Sequence, residues 1–204
     1  MENVIVAPVH KIIWQLYGSG KINKSVLASA RHASSVLSPQ AQAVWPAMIA
    51  ELPQSLLSRD GKPTYAETAV YAAIRLYAIH QQGTDTCVYA PAFSRDGDAT
   101  GMSLFSALAY LRQNETTRVA LDRRVQPLLA TTNIESVIQS LAHLVAILKA
   151  NQRAFQIDYA RLGQDLYYFQ MNYELANQIR LLWGQQYFAI INQPTQTQLE
   201  GKKD

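Results

Sequence analysis

A single cysteine, Cys87, stands in a chain of 204 residues. That excludes an internal disulfide and makes the cytoplasm the expected compartment. A lone thiol in a stretch of mixed polarity reads as a small buried hydrophobe rather than a nucleophile. Charge is scarce too: Asp, Glu, Lys and Arg together make 16% of the residues, against 49% apolar, with a net charge of +3. Such a composition is globular, not disordered, and it permits an acidic partner without demanding one. Long apolar runs are missing, since no segment approaches the roughly 18 uninterrupted residues of a membrane span. Met1 to Pro8 has no basic flank and no extended apolar core, so neither a signal peptide nor an anchor is expected.

Period-two alternation is also absent over any useful length, while helical spacing is nearly everywhere. Ile134, Val137, Ile138, Leu141, Leu144, Val145 and Leu148 follow the i, i+3, i+4, i+7 rule on one face. Thr132 and Glu135 match the capping box that starts such a helix. Ala66, Ala69, Val70, Ala73, Ile74 and Tyr77 make a second stripe, opened by Thr64 and Glu67 behind Pro63 and stopped at Gly83. Further helices are predicted near 4–17, 23–37, 40–51, 103–113, 115–130, 158–170 and 172–190, with Pro127 kinking or ending the 115–130 segment. The expected fold class is all-α, as two small helical bundles. The first spans 1–83, a loop or linker covers 84–101, the second bundle spans 102–193, and 194–204 forms a solvated tail.

Recognisable chemistry is equally sparse. Gly18-Ser19-Gly20-Lys21 invites a phosphate-loop reading, but the positions that need Gly and Ser or Thr hold Gln15 and Ile22, so a helix C-cap and turn is the better account. Asp96-Gly97-Asp98 begins like a calcium loop, yet its twelfth position is Ala107, which removes the closing carboxylate. His10, His32, His80 and His143 share no metal-ligand spacing with one another or with Cys87. His80 closes a helix, where a cationic side chain would favour the macrodipole. The aromatic group Tyr167, Tyr168, Phe169 and Tyr173 could stack bases, but at helical spacing beside Leu166 and Leu175 it reads as core, as do Trp14, Trp45 and Trp183. No catalytic residue, cofactor or metal site is expected.

What remains is a basic set. Arg112, Arg118, Arg123 and Arg124 fall in one helix–turn–helix region, diluted by Glu115 and Asp122. Arg118 and Asp122 are spaced to pair across one turn. A solvated mixed-charge surface and a phosphate-binding face both fit this set.

The order of several short segments resembles the CasB family, the small subunit of the type I-E CRISPR interference complex called Cascade. Val26-Leu27-Ala28-Ser29-Ala30-Arg31, followed by Trp45 and Leu52-Pro53, is similar to the family's N-terminal helix pair. Ala78-Ile79-His80-Gln81-Gln82-Gly83 resembles its helix end before a variable loop. Thr100-Gly101-Met102-Ser103-Leu104 with Ala107-Leu108 is similar to the next helix start. Arg123-Arg124-Val125-Gln126-Pro127-Leu128-Leu129 fits the basic segment. Asp158-Tyr159-Ala160, Asp165-Leu166 and Trp183 resemble the C-terminal helices.

The resemblance implies a non-catalytic subunit that holds target DNA and the displaced strand while the crRNA guide pairs. It implies partners in CasA, CasC, CasD and CasE and in adjacent copies of itself, and no membrane. Arg31, Arg123 and Arg124 are the foremost contacts it implies, with Arg112, Arg118 and Lys149 behind them. Two departures thin this face: Ser106 stands where relatives carry an arginine, and Ala142-His143 where arginines often sit. Lys21, Lys24, Arg153 and Arg161 are the candidates to compensate. A helical scaffold that binds only proteins is the alternative reading.

Overall fold

The computed structural model describes residues 3–18, 22–93 and 99–189. Nine α-helices account for most of them: α1 (Val6–Tyr17), α2 (Lys24–His32), α3 (Trp45–Glu51), α4 (Tyr65–Gln81), α5 (Leu104–Arg112), α6 (Glu115–Ala130), α7 (Ile134–Asn151), α8 (Tyr159–Met171) and α9 (Tyr173–Phe188). No strand is formed among the described residues beyond isolated bridges, so the chain is all-α. No helix among them is long and apolar enough to cross a membrane.

Side-chain caps set most helix starts. Thr64 and Glu67 form the complete capping box that opens α4, and Asn23, Ser103, Asn114, Asp158 and Asn172 each accept from a backbone N–H in the first turn that follows. The predicted Thr132–Glu135 box does not form. Asn133 caps α7 instead, accepting from the Ser136 N–H at 2.8 Å, because Asn is at least as good a cap as Thr and places the helix one residue later.

Three other boundaries differ from expectation. The 23–37 helix stops at His32, where Ala33 turns extended and the buried Tyr71 hydroxyl takes the Ala33 carbonyl at 3.1 Å. The 40–51 helix divides into a 3₁₀ turn, Pro39–Ala43, and the short α3; Pro46 has no N–H and its ring would meet the Gln42 carbonyl of a continuous helix. Conversely, α6 runs through Pro127 to Ala130. Only one N–H is lost there, and Leu121, Val125 and Leu128 are buried on either side of it.

α4 is the central element, buried along almost its whole length. α8 packs antiparallel to it: the Tyr159 hydroxyl meets His80 Nδ1 at one end, 2.8 Å away, and Gln170 donates to the Tyr65 carbonyl at the other. Gly163 allows that approach, since a Cβ there would lie 3.1 Å from the Ala73 methyl and 3.4 Å from Ile5 and Val9 of the α1 region. α7 lies parallel to α4, with Ile134 near Tyr65 at the start and Lys149 bonded to Gln82 at the end. The buried apolar side chains form one contiguous cluster that draws on both halves of the sequence. On its far side Trp183 is stacked between Phe105 and Phe169, with ring centroids 4.9 and 5.8 Å away.

The segment 84–101 is tied down at both described ends. The Ile157 N–H donates to the Val88 carbonyl, the Met102 N–H to Gln156 and the Asp158 N–H to Met102. At Gly101 a Cβ would collide with the Ala90 carbonyl, so glycine is required for this close approach. The Asp96–Asp98 motif, Ser19 to Lys21 and the tail 194–204 lie outside the described residues. Gly18 itself is the left-handed cap of α1, at φ 58°.

Candidate nucleic-acid interface

The arginines from Arg112 to Arg124 do not form one free face. Arg112 Nε bonds Asp122 at 2.8 Å, and the same carboxylate accepts from the Tyr187 hydroxyl at 2.7 Å. The Arg112 guanidinium also lies over the Phe188 ring, 5.0 Å from its centroid. It is a tie between α5, α6 and α9 rather than a free donor. The expected Arg118–Asp122 pair is replaced by Arg118–Glu115 at 3.4 Å, since Asp122 is held by Arg112. Arg124 donates to the Ala120 carbonyl of its own helix at 3.0 Å. Arg123 is exposed and points away from the Leu121–Val125–Leu128 stripe. At about 100° per residue, Arg118 and Arg124 fall on opposite flanks of α6.

A second group converges where α4 ends. Arg31, in the last turn of α2, reaches the Ala78 carbonyl at 3.5 Å. Lys149, in the last turn of α7, donates to Gln82 Oε1 at 2.8 Å. Arg153, just beyond α7, reaches the Gly83 carbonyl at 3.4 Å. Lys24 and Arg31 line a cleft of about 340 Å³ with Gln81, Gln82, Gly83 and Asp85. None of these four cations forms an ion pair among the described residues. The anchors of Arg31, Lys149 and Arg153 are carbonyl and amide oxygens, and these three stand in or just past the last turns of α2 and α7, where the macrodipole favours positive charge.

Crowding of like charge marks this cluster. Burial, then repulsion from Arg153 and Arg31, lowers the Lys149 pKa, and burial alone lowers that of Arg31. His80, under the same helix end, is not the cation expected at a C-terminus. It is fully buried, and burial, with Lys149 adding to it, pushes its pKa down to about 4. It is a neutral partner of Tyr159.

The other candidates lie elsewhere. Arg161 reaches Asn3 Oδ1 at 3.4 Å and, with Asp158, Asp165 and Gln186, lines a cavity of about 150 Å³. There Asp165 accepts from the Trp183 indole N–H at 2.9 Å. Burial above all, with Asp158 adding to it and Trp183 and Arg161 opposing, raises the Asp165 pKa to about 6. Lys21 lies outside the described residues. Of the aromatics expected in the core, Trp183 and Phe169 are buried, whereas Trp14, Trp45 and Tyr173 are exposed. Trp14 falls on the face of α1 opposite Val9, Ile12, Ile13 and Leu16, and Trp45 and Tyr173 at the edges of their buried stripes, so the core reading does not hold for these three. No group of three His, Cys, Asp or Glu side chains able to hold a metal ion occurs among the described residues.

The sequence names Arg31, Lys149, Arg153 and Lys24 singly and gives no sign that they meet. The signal present is their position at helix ends: two in last turns, one just past a C-terminus and one opening α2. Gln82 and Gly83, the partners of Lys149 and Arg153, are not identified by any charge or motif argument.

Residues 26–188 match the family described as CRISPR-associated protein Cse2. Among solved structures the chain is similar to CasB from Thermobifida fusca, with a TM-score of 0.58 and 21% identity, covering 91% of this chain and 96% of that one. At that identity the likeness is one of fold. No curated protein matches.

Proposed function

Because the chain belongs to the Cse2 family of CRISPR-associated proteins, and so to the subunits of Cascade in CRISPR defence, we propose that it is the non-catalytic subunit that grips target DNA and the displaced strand during crRNA-guided strand exchange. The observation that carries this reading is the cluster of Arg31, Lys149, Arg153 and Lys24 at the end of α4, two of which line one cleft, with no carboxylate among the described residues paired to any of them. Arginine forks bind phosphate oxygens and carry no sequence information, which suits a subunit whose guide reads the bases. A displaced strand held in this way reanneals less readily, and that tips a near-balanced exchange forward. Modest affinity per subunit suffices when neighbouring copies and CasA, CasC, CasD and CasE add contacts along the same strand.

Arg123 is an auxiliary contact in this reading, being exposed on α6. Arg112 contributes through the packing it supports. The alternative, a scaffold that binds only proteins, is favoured by one feature: Leu37, Trp45 and Ile49 are exposed around an apolar groove of about 200 Å³.

Charge reversal separates the two. In the assembled complex, Arg31→Glu with Lys149→Glu should weaken target-DNA binding at least tenfold, with Arg123→Glu and Arg124→Glu weakening it less, and affinity should fall steeply with salt. A complex that assembles with both pairs reversed, yet binds and opens target DNA like its parent, would leave the scaffold reading.

A further inference from the structure

Arg75 lies in the middle of α4 at 8% exposure, and its Nε and Nη1 have no hydrogen-bond partner. An unpaired buried guanidinium is costly, and native proteins retain few of them without a reason. Its place on the helix suggests that reason. Thr68, Arg75 and Gln82 are spaced by seven residues, so they share one face of α4, each about 10 Å from the next along the axis. Gln82 lines the basic cleft with Arg31 and Lys24. Thr68 lines a larger cleft of about 520 Å³, where Ser34, Ser35, Gln139 and Gln170 supply hydrogen-bonding groups and Glu135 is the one carboxylate. The segment after α2 and the start of α7 line that cleft; α2 lines the basic cleft, and Lys149 of α7 bonds Gln82 in its lining. Arg75 lines neither cleft itself, but along α4 it falls between Tyr71 and Ala72 of the larger one and Gln81 and Gln82 of the basic one.

We propose that the two clefts form one track about 20 Å long, in which Arg75 contacts a phosphodiester of a single nucleic-acid strand laid along α4. This rests on the nucleic-acid reading above and adds to it a path and a residue on the side of Arg31 away from Lys24. Asp85 is the carboxylate lining the basic cleft and Glu135 the one lining the larger cleft. Incoming phosphate would supply the partners that Arg75 lacks, at a position shielded from water where a charge-assisted bond is strong. The competing account makes Arg75 a structural cation beside the Tyr71 hydroxyl, which itself bonds the Ala33 carbonyl at the end of α2.

The test uses the full chain and a fluorescein-labelled 20-nucleotide oligodeoxythymidine, with anisotropy followed from 50 to 200 mM KCl. Arg75→Met should lower affinity about tenfold and make the salt slope shallower by about 0.7, the value for one phosphate contact on a single strand. Its thermal midpoint should not fall, because an apolar isostere removes a buried unpaired charge. Arg75→Lys should keep the slope and lose severalfold in affinity with its forked geometry. If Arg75→Met gives no cooperative melt, Arg75→Lys alone carries the test, and parental affinity in it overturns the proposal. Parental affinity and slope in Arg75→Met, with binding lost in Arg31→Ala/Lys149→Ala, would make Arg75 structural and leave the basic cleft standing. Absence of salt-dependent binding by the unaltered chain would remove the nucleic-acid reading and this one together.

Discussion

Replacing Asp165 by Asn should stabilise this protein at neutral pH, against the usual effect of altering a buried, hydrogen-bonded side chain. The Asp165 carboxyl is buried and accepts one indole N–H, and its pKa stands at about 6 against an ordinary 3.8. The native state thus holds its proton more tightly than the unfolded chain does. Stability from this group is complete below about pH 4 and drains away as pH rises through 6. At about 1.4 kcal/mol for each pH unit of displacement, the full loss above pH 7 is about 3 kcal/mol, of which about 1 kcal/mol is already lost at pH 4.5. Asn keeps an oxygen for the Trp183 N–H and never ionises. Its amide needs partners in a polar cavity, a constant cost of about 1 kcal/mol. Urea unfolding of parent and variant at pH 4.5 and 7.5 reads the difference, and other titrating groups cancel because both proteins carry them. The variant's advantage should grow by about 2 kcal/mol between the two pH values. A difference that does not change with pH, or a variant weaker at pH 7.5 than at 4.5 relative to the parent, would refute the assignment of that raised pKa to burial.

Two further outcomes follow from contacts away from the proposed track. Gly101→Ala drives a methyl into the Ala90 carbonyl and should cost about 1–3 kcal/mol, with faster amide exchange at Met102 and Ile157; unchanged stability and protection would show that Gly101 and Ala90 are not closely packed. Tyr187→Phe removes the 2.7 Å bond to Asp122 and should cost about 1 kcal/mol. Combined with Arg112→Leu it should show a coupling above about 0.5 kcal/mol, while Arg112→Leu alone leaves oligonucleotide affinity within twofold. A large loss of affinity there would return Arg112 to the binding surface.

The helical order was legible because every helix buries a stripe and most announce their start with Ser, Thr, Asn or Asp. The places where reading failed are those that depend on competition. Asn133 outcompetes Thr132 as a cap, and Pro46 breaks a run that Pro127, with three buried neighbours nearby, does not. His80 sits at a helix end yet stays neutral, since α8 covers it and desolvation outweighs the dipole. The family was readable from the order of its segments, none strong alone. The basic cluster was not, because Arg31 and Lys149 are separated by more than a hundred residues and meet only through the parallel run of α7 beside α4. Arginines close in sequence, from Arg112 to Arg124, suggested a face that helical geometry and Asp122 disperse.

The parallel course of α4 and α7 also determines what an arriving anion must displace. Both helices end at the same edge of the molecule, so Lys149 and Arg153 are steadied by amide and carbonyl oxygens rather than by acidic side chains. Among the described residues, a phosphate entering there evicts no counter-ion and breaks no salt bridge, in contrast to Arg112, which would first have to leave Asp122. Mobile ions from solution are then the species exchanged, and the whole of that exchange is visible as a dependence on salt concentration.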